Sequence, residues 1–265
     1  MKDHVSGVST AYHNDGSVYY RASVTYNRKH ISLGSYSDQH EGARAYEEAS
    51  TILNGNRREI EDYDPSFALA FQKYVSLVNL RNNGIYFKTP IYLHSKYFIY
   101  HITPELGLKF DRDDLFFYSA HTIQQKGGYL FICHYGSQYG ILSRYGVHQF
   151  AVEGKDYIFV NGDNTDYRYD NIKVINQYMG VHEETKKGHT IYTASIHIRG
   201  NYILGHYDTE TEAAIAYNKA VDLLHKKGLE KNYIKNYIMG MSSEDYQTCY
   251  ENIILSDRII NYSTE

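Results

Sequence analysis

Two stretches of the chain, 7–55 and 180–228, repeat one another, and the register between them limits the fold more than any other feature does. Gly7-Val8 matches Gly180-Val181 at an offset of 173, Ala22-Ser23 matches Ala194-Ser195 at 172, and Leu33-Gly34 matches Leu204-Gly205 at 171. The offset falls by one at each of two turns, where changes of loop length are tolerated. It then stays at 171 through Tyr36/Tyr207, Ala43/Ala214, Ala45/Ala216, Tyr46/Tyr217 and Ala49/Ala220. Each copy reads as three antiparallel strands followed by one helix. In the first copy Tyr20, Ala22 and Val24 alternate with Arg21, Ser23 and Thr25, the period of a strand with one buried face. Asp38 with Glu41, and Thr209 with Glu212, form the pattern of a capping box at the helix start. Small residues at 42, 43, 45 and 49 let the helix axis lie close to the sheet. The opposite sheet face is then left uncovered and polar, which makes it a candidate contact surface.

The rest of the chain carries weaker signals. Phe67, Phe71, Tyr74, Val75 and Val78 lie at helical spacing, so one amphipathic helix is expected over 62–83. Tyr246, Tyr250 and Ile253 suggest a similar trailing helix over 242–257. Between them lies a middle region, 84–177, of which 86–147 reads as short strands with turns at Thr89-Pro90, Gly127-Gly128 and Tyr139-Gly140. Within that region, 157–176 reads as a strand, a turn at Asn161-Gly162 and a short helix from Asp166. The expected class is α+β. Residues 1–13 are polar and the apolar runs elsewhere are short, so neither a leader peptide, a membrane span nor a membrane partner is expected. Two distant cysteines, Cys133 and Cys249, suggest a reducing, cytoplasmic setting and form no C-x-x-C zinc pair. The net charge of −4 sits awkwardly with duplex DNA, whose ligands usually carry a basic excess. Fourteen histidines add positive charge only as pH falls toward 6. The 30 tyrosines, with much Asn, Ile and Lys, read as the product of an AT-rich gene, such as that of a phage of a low-GC host.

The repeat resembles the Apetala-type (ethylene-response-factor) domain, whose signature runs G-V, an A-x-I strand, L-G-x-F/Y, then A-A-x-A-Y-x-x-A. The resemblance covers about 50 residues in each copy, near the size of a minimal domain. It implies a three-stranded sheet laid on nucleic acid. The contact residues expected from it are Arg21, Ser23, Thr25, Arg28, Lys29, His30 and Ser32 in the first copy. In the second they are Lys186, Lys187, Thr193, Ser195, His197, Arg199 and Asn201. The family's basic G-V-R-x-R opening is replaced by Gly7-Val8-Ser9-Thr10-Ala11 and by Gly180-Val181-His182-Glu183-Glu184. Basic and acidic residues balance in both copies, seven each over 1–60 and six each over 178–228.

The run N-G-D-N-T-D-Y-R-x-x-N-I, starting at Asn161, resembles the second half of the HNH homing-endonuclease motif, a ββα unit that holds one metal ion. Asp166, Arg168, Asn171 and Ile172 fall on its D-N-R-x-x-N-L positions. The Asp-His pair that resemblance would place before the turn is here Ile158 and Phe159, and the upstream histidine of L-H-R is Ser143. An isoleucine offers a hard cation no oxygen, and a phenylalanine accepts no proton from water. With Asn171 the only metal-binding position kept, the resemblance implies a nuclease scaffold without catalysis, cofactor or metal. The organisation expected is an Apetala-like module at 1–60, a connecting helix at 61–84, a degenerate HNH-like domain at 85–177, a second Apetala-like module at 178–228 and a helical extension at 229–265. The two resemblances support one another, because such domains are found fused in phage and mobile-element proteins.

Other constellations carry less. His121, His134 and His148 lack the close spacing and the acidic partner of a metal site. Cys133 and His134 are adjacent on a strand and point to opposite faces, so they form no dyad. Arg168 reads as a helix-start ion pair with Asp166 or Asp170. Three functions remain open on these grounds. The first is a non-catalytic protein that binds DNA or structured RNA such as transfer RNA, with Tyr and His stacking on unpaired bases. The second is a phage counter-defence (anti-CRISPR-like) inhibitor that docks on a host defence complex through a tyrosine-rich surface, with or without bound RNA, in the host cytoplasm. The third is an active nuclease with relocated ligands.

Overall fold

A computed structural model describes residues 5–134, 137–149, 151–186 and 188–263. Helix and strand each account for 31%, and the strands form small antiparallel sheets, so the protein is mixed α+β. The chain divides into two compact units, Met1–Ile141 with Asp163–Tyr169, and Leu142–Gly162 with Asp170–Glu265. The segment read from sequence as one middle domain, 85–177, therefore contributes to both.

In the first unit, β1 (Val8–Tyr12), β2 (Val18–Tyr26) and β3 (Lys29–Tyr36) form an antiparallel sheet in chain order. The alternation in β2 has its expected consequence: Ala22 and Val24, with Ile31 and Leu33 of β3, are buried. They pack on helix α1 (Gln39–Asn54), which buries Ala45, Ala49, Ile52 and Leu53. Gly42 and the two alanines keep the helix near the strands. Asn27 and Arg28 both take positive φ (48° and 65°), which gives the two-residue hairpin turn that matches strand twist. A β-bulge between Ala22 and Ser23 inserts Leu33 as an extra residue in β3. Beyond it the parity of β3 changes, so Ser35 is exposed while Tyr36 packs on the core.

Helix α2 (Phe71–Asn83) begins nine residues later than its periodicity suggests. Pro65 restricts the residue before it to extended backbone, and the Asp64 carboxylate accepts the Ser66 N–H (2.8 Å), so 63–70 forms turns instead. The helix is also buried nearly all round from Tyr74 to Leu80, where an amphipathic helix with a wet face was expected. Two further sheets follow, β4 (Ile91–Leu93), β5 (Tyr97–His101) and β6 (Gly107–Asp111), then β7 (Ile123–Lys126), β8 (Tyr129–His134) and β9 (Ser137–Gly140). Helix α3 (Leu115–Ala120) lies between them in sequence, and its Tyr118 ring packs 4.2 Å from Phe110. Tyr74, Tyr100 and Tyr118 are fully buried, so part of the tyrosine excess builds the core.

In the second unit, β10 (Tyr157–Phe159) pairs with β11 (Ile172–Val174). The short helix expected from Asp166 is absent. A single 3₁₀ turn at Tyr169–Asn171 leads into β11, whose β-branched Ile172 and Val174 favour the ladder over a helix. The second repeat forms β12 (Val181–Lys186), β13 (His189–His197), β14 (Asn201–Tyr207) and helix α4 (Glu210–Lys226). It repeats the order of the first copy and its bulge, here between Ala194 and Ser195. Of the two repeat helices, α4 has the complete capping box: the Glu212 N–H donates to Thr209 Oγ1 (3.1 Å), and the Thr209 N–H to Glu212 Oε2 (3.1 Å). In α1, Asp38 caps the His40 N–H (3.1 Å), and among the described residues Glu41 makes no return bond. The trailing helix forms as α5 (Ser243–Asn252), followed by the single turn α6 (Asp257–Ile260). Lys219 of α4 holds the end of α5, its Nζ donating to the carbonyls of Tyr250 (2.7 Å) and Ile253 (2.7 Å).

Candidate nucleic-acid interface

The first sheet turns a polar face away from α1. Register places its side chains in rows across the strands: Ser9, Arg21 and Ser35; Ser23 and Ser32; Thr25 and His30. All are exposed except Ser23, which is half-buried. The Arg21 guanidinium bonds the Tyr19 hydroxyl and sits 5.2 Å from that ring's centre, and His13 lies on the same ring at 4.3 Å. A cation, three aromatic rings and six hydroxyls thus share one surface, the set of groups that grips phosphate oxygens and stacks on bases. Two expected contact residues lie elsewhere. Lys29 has the opposite parity, and its ammonium lies 4.6 Å from the centre of the Tyr86 ring. Arg28 is in the hairpin turn.

The second sheet keeps the rows and changes their chemistry. His182, Thr193 and His206 replace Ser9, Arg21 and Ser35; Ser195 faces Ile203, and His197 faces Asn201. Thr193 is buried, with its hydroxyl 2.8 Å from His206 Nδ1, and so is withdrawn from any contact. Ser195 is half-buried. The exposed His197 ring is 2.9 Å from Asn201 Oδ1. Lys186 is paired with Glu184 (2.8 Å), which weakens it as a phosphate ligand. Arg199 is exposed in the turn before β14, and Lys187 lies outside the described residues. Sequence reasoning missed Tyr19, Ser35 and His206. The alternation of Tyr19 with Arg21, and the constant offset linking Ser35 to His206, could have found them.

The HNH-like positions have structural surroundings. Phe159 is buried with its ring edge-on to Tyr157 (5.8 Å), and Ile158 is half-buried opposite Lys173. Asn171 is buried, and its side-chain oxygen accepts the Asn161 N–H (2.8 Å), closing the turn between β10 and β11. Ser143 is exposed. Arg168 pairs with Asp166, Nε at 2.8 Å and Nη2 at 2.6 Å, as one of its two expected partners, but within a turn and not at a helix start. Burial pushes the Asp166 carboxyl up, yet the bonds and charge of Arg168, with Lys109 3.8 Å away, outweigh it and hold the group below the usual carboxylate range. Its segment is fixed to β6 by the Lys109 N–H on Thr165 (2.9 Å) and the Tyr167 N–H on Lys109 (2.7 Å).

His121 stacks on Phe117 at 4.3 Å with Nδ1 on that residue's carbonyl, and His148 Nδ1 meets the Gln149 carbonyl (2.8 Å). The side chain of His134 lies outside the described residues. Among the described residues no three His, Cys, Asp or Glu converge on a point where a metal could sit. Asn171→Ala is expected to cost about 1–2 kcal/mol by orphaning the Asn161 amide, read as faster hydrogen exchange across β10 and β11. Exchange equal to that of the parent would mean that the amide does not close the turn. Comparison with protein-family models, curated proteins and solved structures gives no match.

Proposed function

We propose that the protein binds nucleic acid without cleaving it, through Apetala-like sheet modules attached to an HNH-derived hairpin that has lost its chemistry. The observation that carries this reading is the two-sided character of the first sheet. One face seats Ala22, Val24, Ile31 and Leu33 on α1, while the other presents Arg21, Ser23, Thr25, His30, Ser32 and Ser35 beside Tyr19. Hydroxyls and a guanidinium on a sheet suit phosphate oxygens, and the Tyr19 and His13 rings suit exposed bases. A face whose rows hold one guanidinium, Arg21, in a chain of net charge −4 argues for a short footprint with a shallow salt dependence. A single strand or the loops of a structured RNA fit that better than a long duplex. Hydrocarbon side chains at 158 and 159, and an Asn171 oxygen committed to a backbone amide, support the absence of hydrolysis.

Filter binding at low salt tests the reading, with duplex DNA, single-stranded DNA and a transfer RNA as probes. Arg21→Glu should weaken retention of the preferred probe by about tenfold or more, the scale of one charge-assisted contact turned repulsive. Retention of none of the three would end the proposal. A protein partner, such as a host defence complex, is a second reading, favoured by the exposed Tyr237 (83%) and Met239 (76%) on the segment after α4.

A further inference from the structure

The outer face of the second sheet is not open along its length. His182, Ser195 and His197 form the floor of a cleft of about 490 Å³ within the second unit. One wall comes from the segment before β10, with His148, Val152 and Lys155. The other comes from the strap after α4, where Lys231 and Tyr233 both bond the His197 carbonyl (2.8 and 2.9 Å). That volume is in the range of sites that enclose one small organic ligand.

The chemistry of the lining narrows the ligand class. Two ammonium groups, Lys155 and Lys231, meet a single carboxylate, Asp156, in a chain whose overall charge is negative. That carboxylate is already engaged, accepting the Val152 N–H (2.8 Å) and the Asn176 amide (3.0 Å). The cleft therefore favours an anion. Its lining also offers aromatic and thioether surface, Tyr233, Tyr217 and Met179, beside imidazoles and the amides of Asn201 and Asn232, which suits a flat heterocycle with polar edges. His148 Nε2 is buried without a hydrogen-bond partner among the described residues, 3.7 Å from Asp156 Oδ1. A buried polar atom left open in this way is costly unless a ligand meets it.

We propose that this cleft holds one nucleoside monophosphate unit, its base among Tyr233, Met179 and the imidazoles and its phosphate at the lysines of the rim. The inference deepens the nucleic-acid reading and rests on it. The unit could come from a free nucleotide or from a residue turned out of a strand, at the cost of unstacking one base. Titration calorimetry with AMP, CMP and inorganic phosphate tests it on the whole protein. Either nucleotide should bind saturably and more tightly than phosphate. Lys155→Glu, a surface change, should weaken that binding by about tenfold or more. Ser195→Phe, which fills the floor, should abolish it, with far-ultraviolet circular dichroism to check its folding.

Saturable binding untouched by Lys155→Glu, or no binding of any nucleotide, overturns the proposal. Comparing a hairpin with one bulged nucleotide against the same hairpin abasic at that position separates the sources. Preference for the bulge supports a residue presented by a strand, and equal affinity alongside mononucleotide binding supports a free nucleotide. The two readings fail differently. Strands retained through Arg21 with no mononucleotide binding would refute the cleft alone. Mononucleotide binding with no polymer retained would refute the polymer reading alone.

Discussion

Replacing Gly180 by alanine should lower the stability of the second unit by about 3 kcal/mol, with Gly7→Ala acting the same way on the first. Each glycine opens its repeat, has positive φ (74° and 73°), and lets its carbonyl accept a strand amide, Ser195 N–H at 2.7 Å and Ser23 N–H at 2.8 Å. Each also lies against a tyrosine of the following helix. A methyl group on Gly180 would overlap the Tyr217 ring and the Ser195 carbonyl oxygen, and one on Gly7 would overlap the Tyr46 ring. Neither obstacle is the tip of a flexible chain, because the rings are held by the helices. Two costs therefore add, the left-handed backbone and the displaced ring. Amide hydrogen exchange in β13 and α4 measures the loss for the second unit on its own. Adding Tyr217→Leu should return the ring's share and leave the shares of the backbone conformation and of the Ser195 oxygen. An alanine variant within about 0.5 kcal/mol of the parent would show that the glycine is dispensable.

Acidification should destabilise the first unit through His101. This ring is buried, neither nitrogen has a hydrogen-bond partner among the described residues, and Phe71 meets it edge-on at 6.0 Å. Burial, with a smaller push from His94, brings its pKa down from 6.5 to about 4. The folded-state pKa is depressed, so the full stability is present above pH 6.5. As pH falls from 6.5 toward 4, the unfolded chain takes up a proton that the folded chain refuses, and stability drops by up to about 3 kcal/mol. Urea midpoints at pH 7.5 and 5 measure the slope, and His101→Phe should flatten it. A slope unchanged in that variant would assign the effect to other groups, of which His94, also lowered by burial, is the nearest.

Much of the sheet-and-helix architecture is legible because it is written locally and twice. The alternation of Ala22 and Val24 with Arg21 and Ser23, and the small residues of α1, specify a face, a partner and a close approach without help from distant residues. Where the reading failed, a nearby group competed. Pro65 and the Asp64 turn removed the first two turns from the expected helix. In the Asp166 segment, Ile172 with Ile175 satisfies a helical spacing and Ile172 with Val174 a strand alternation, and pairing with Tyr157 and Phe159 decided between them. The open face of the first sheet could be read from parity. The cleft of the second could not, because His148 and Lys155 come from a stretch with no repeat counterpart.

The repeated bulge has a consequence for how such a chain can evolve. By shifting parity after Leu33 and Leu204, it sends Ser35 and His206 outward and directs the next tyrosine of each strand to the core. The positions that hold the architecture and those that meet solvent are thereby separated within a few residues of one strand. Duplication of such a unit leaves selection free to rewrite one copy's outer rows, as Ser32 against Ile203 and Ser35 against His206 already differ, without disturbing the inherited scaffold of either.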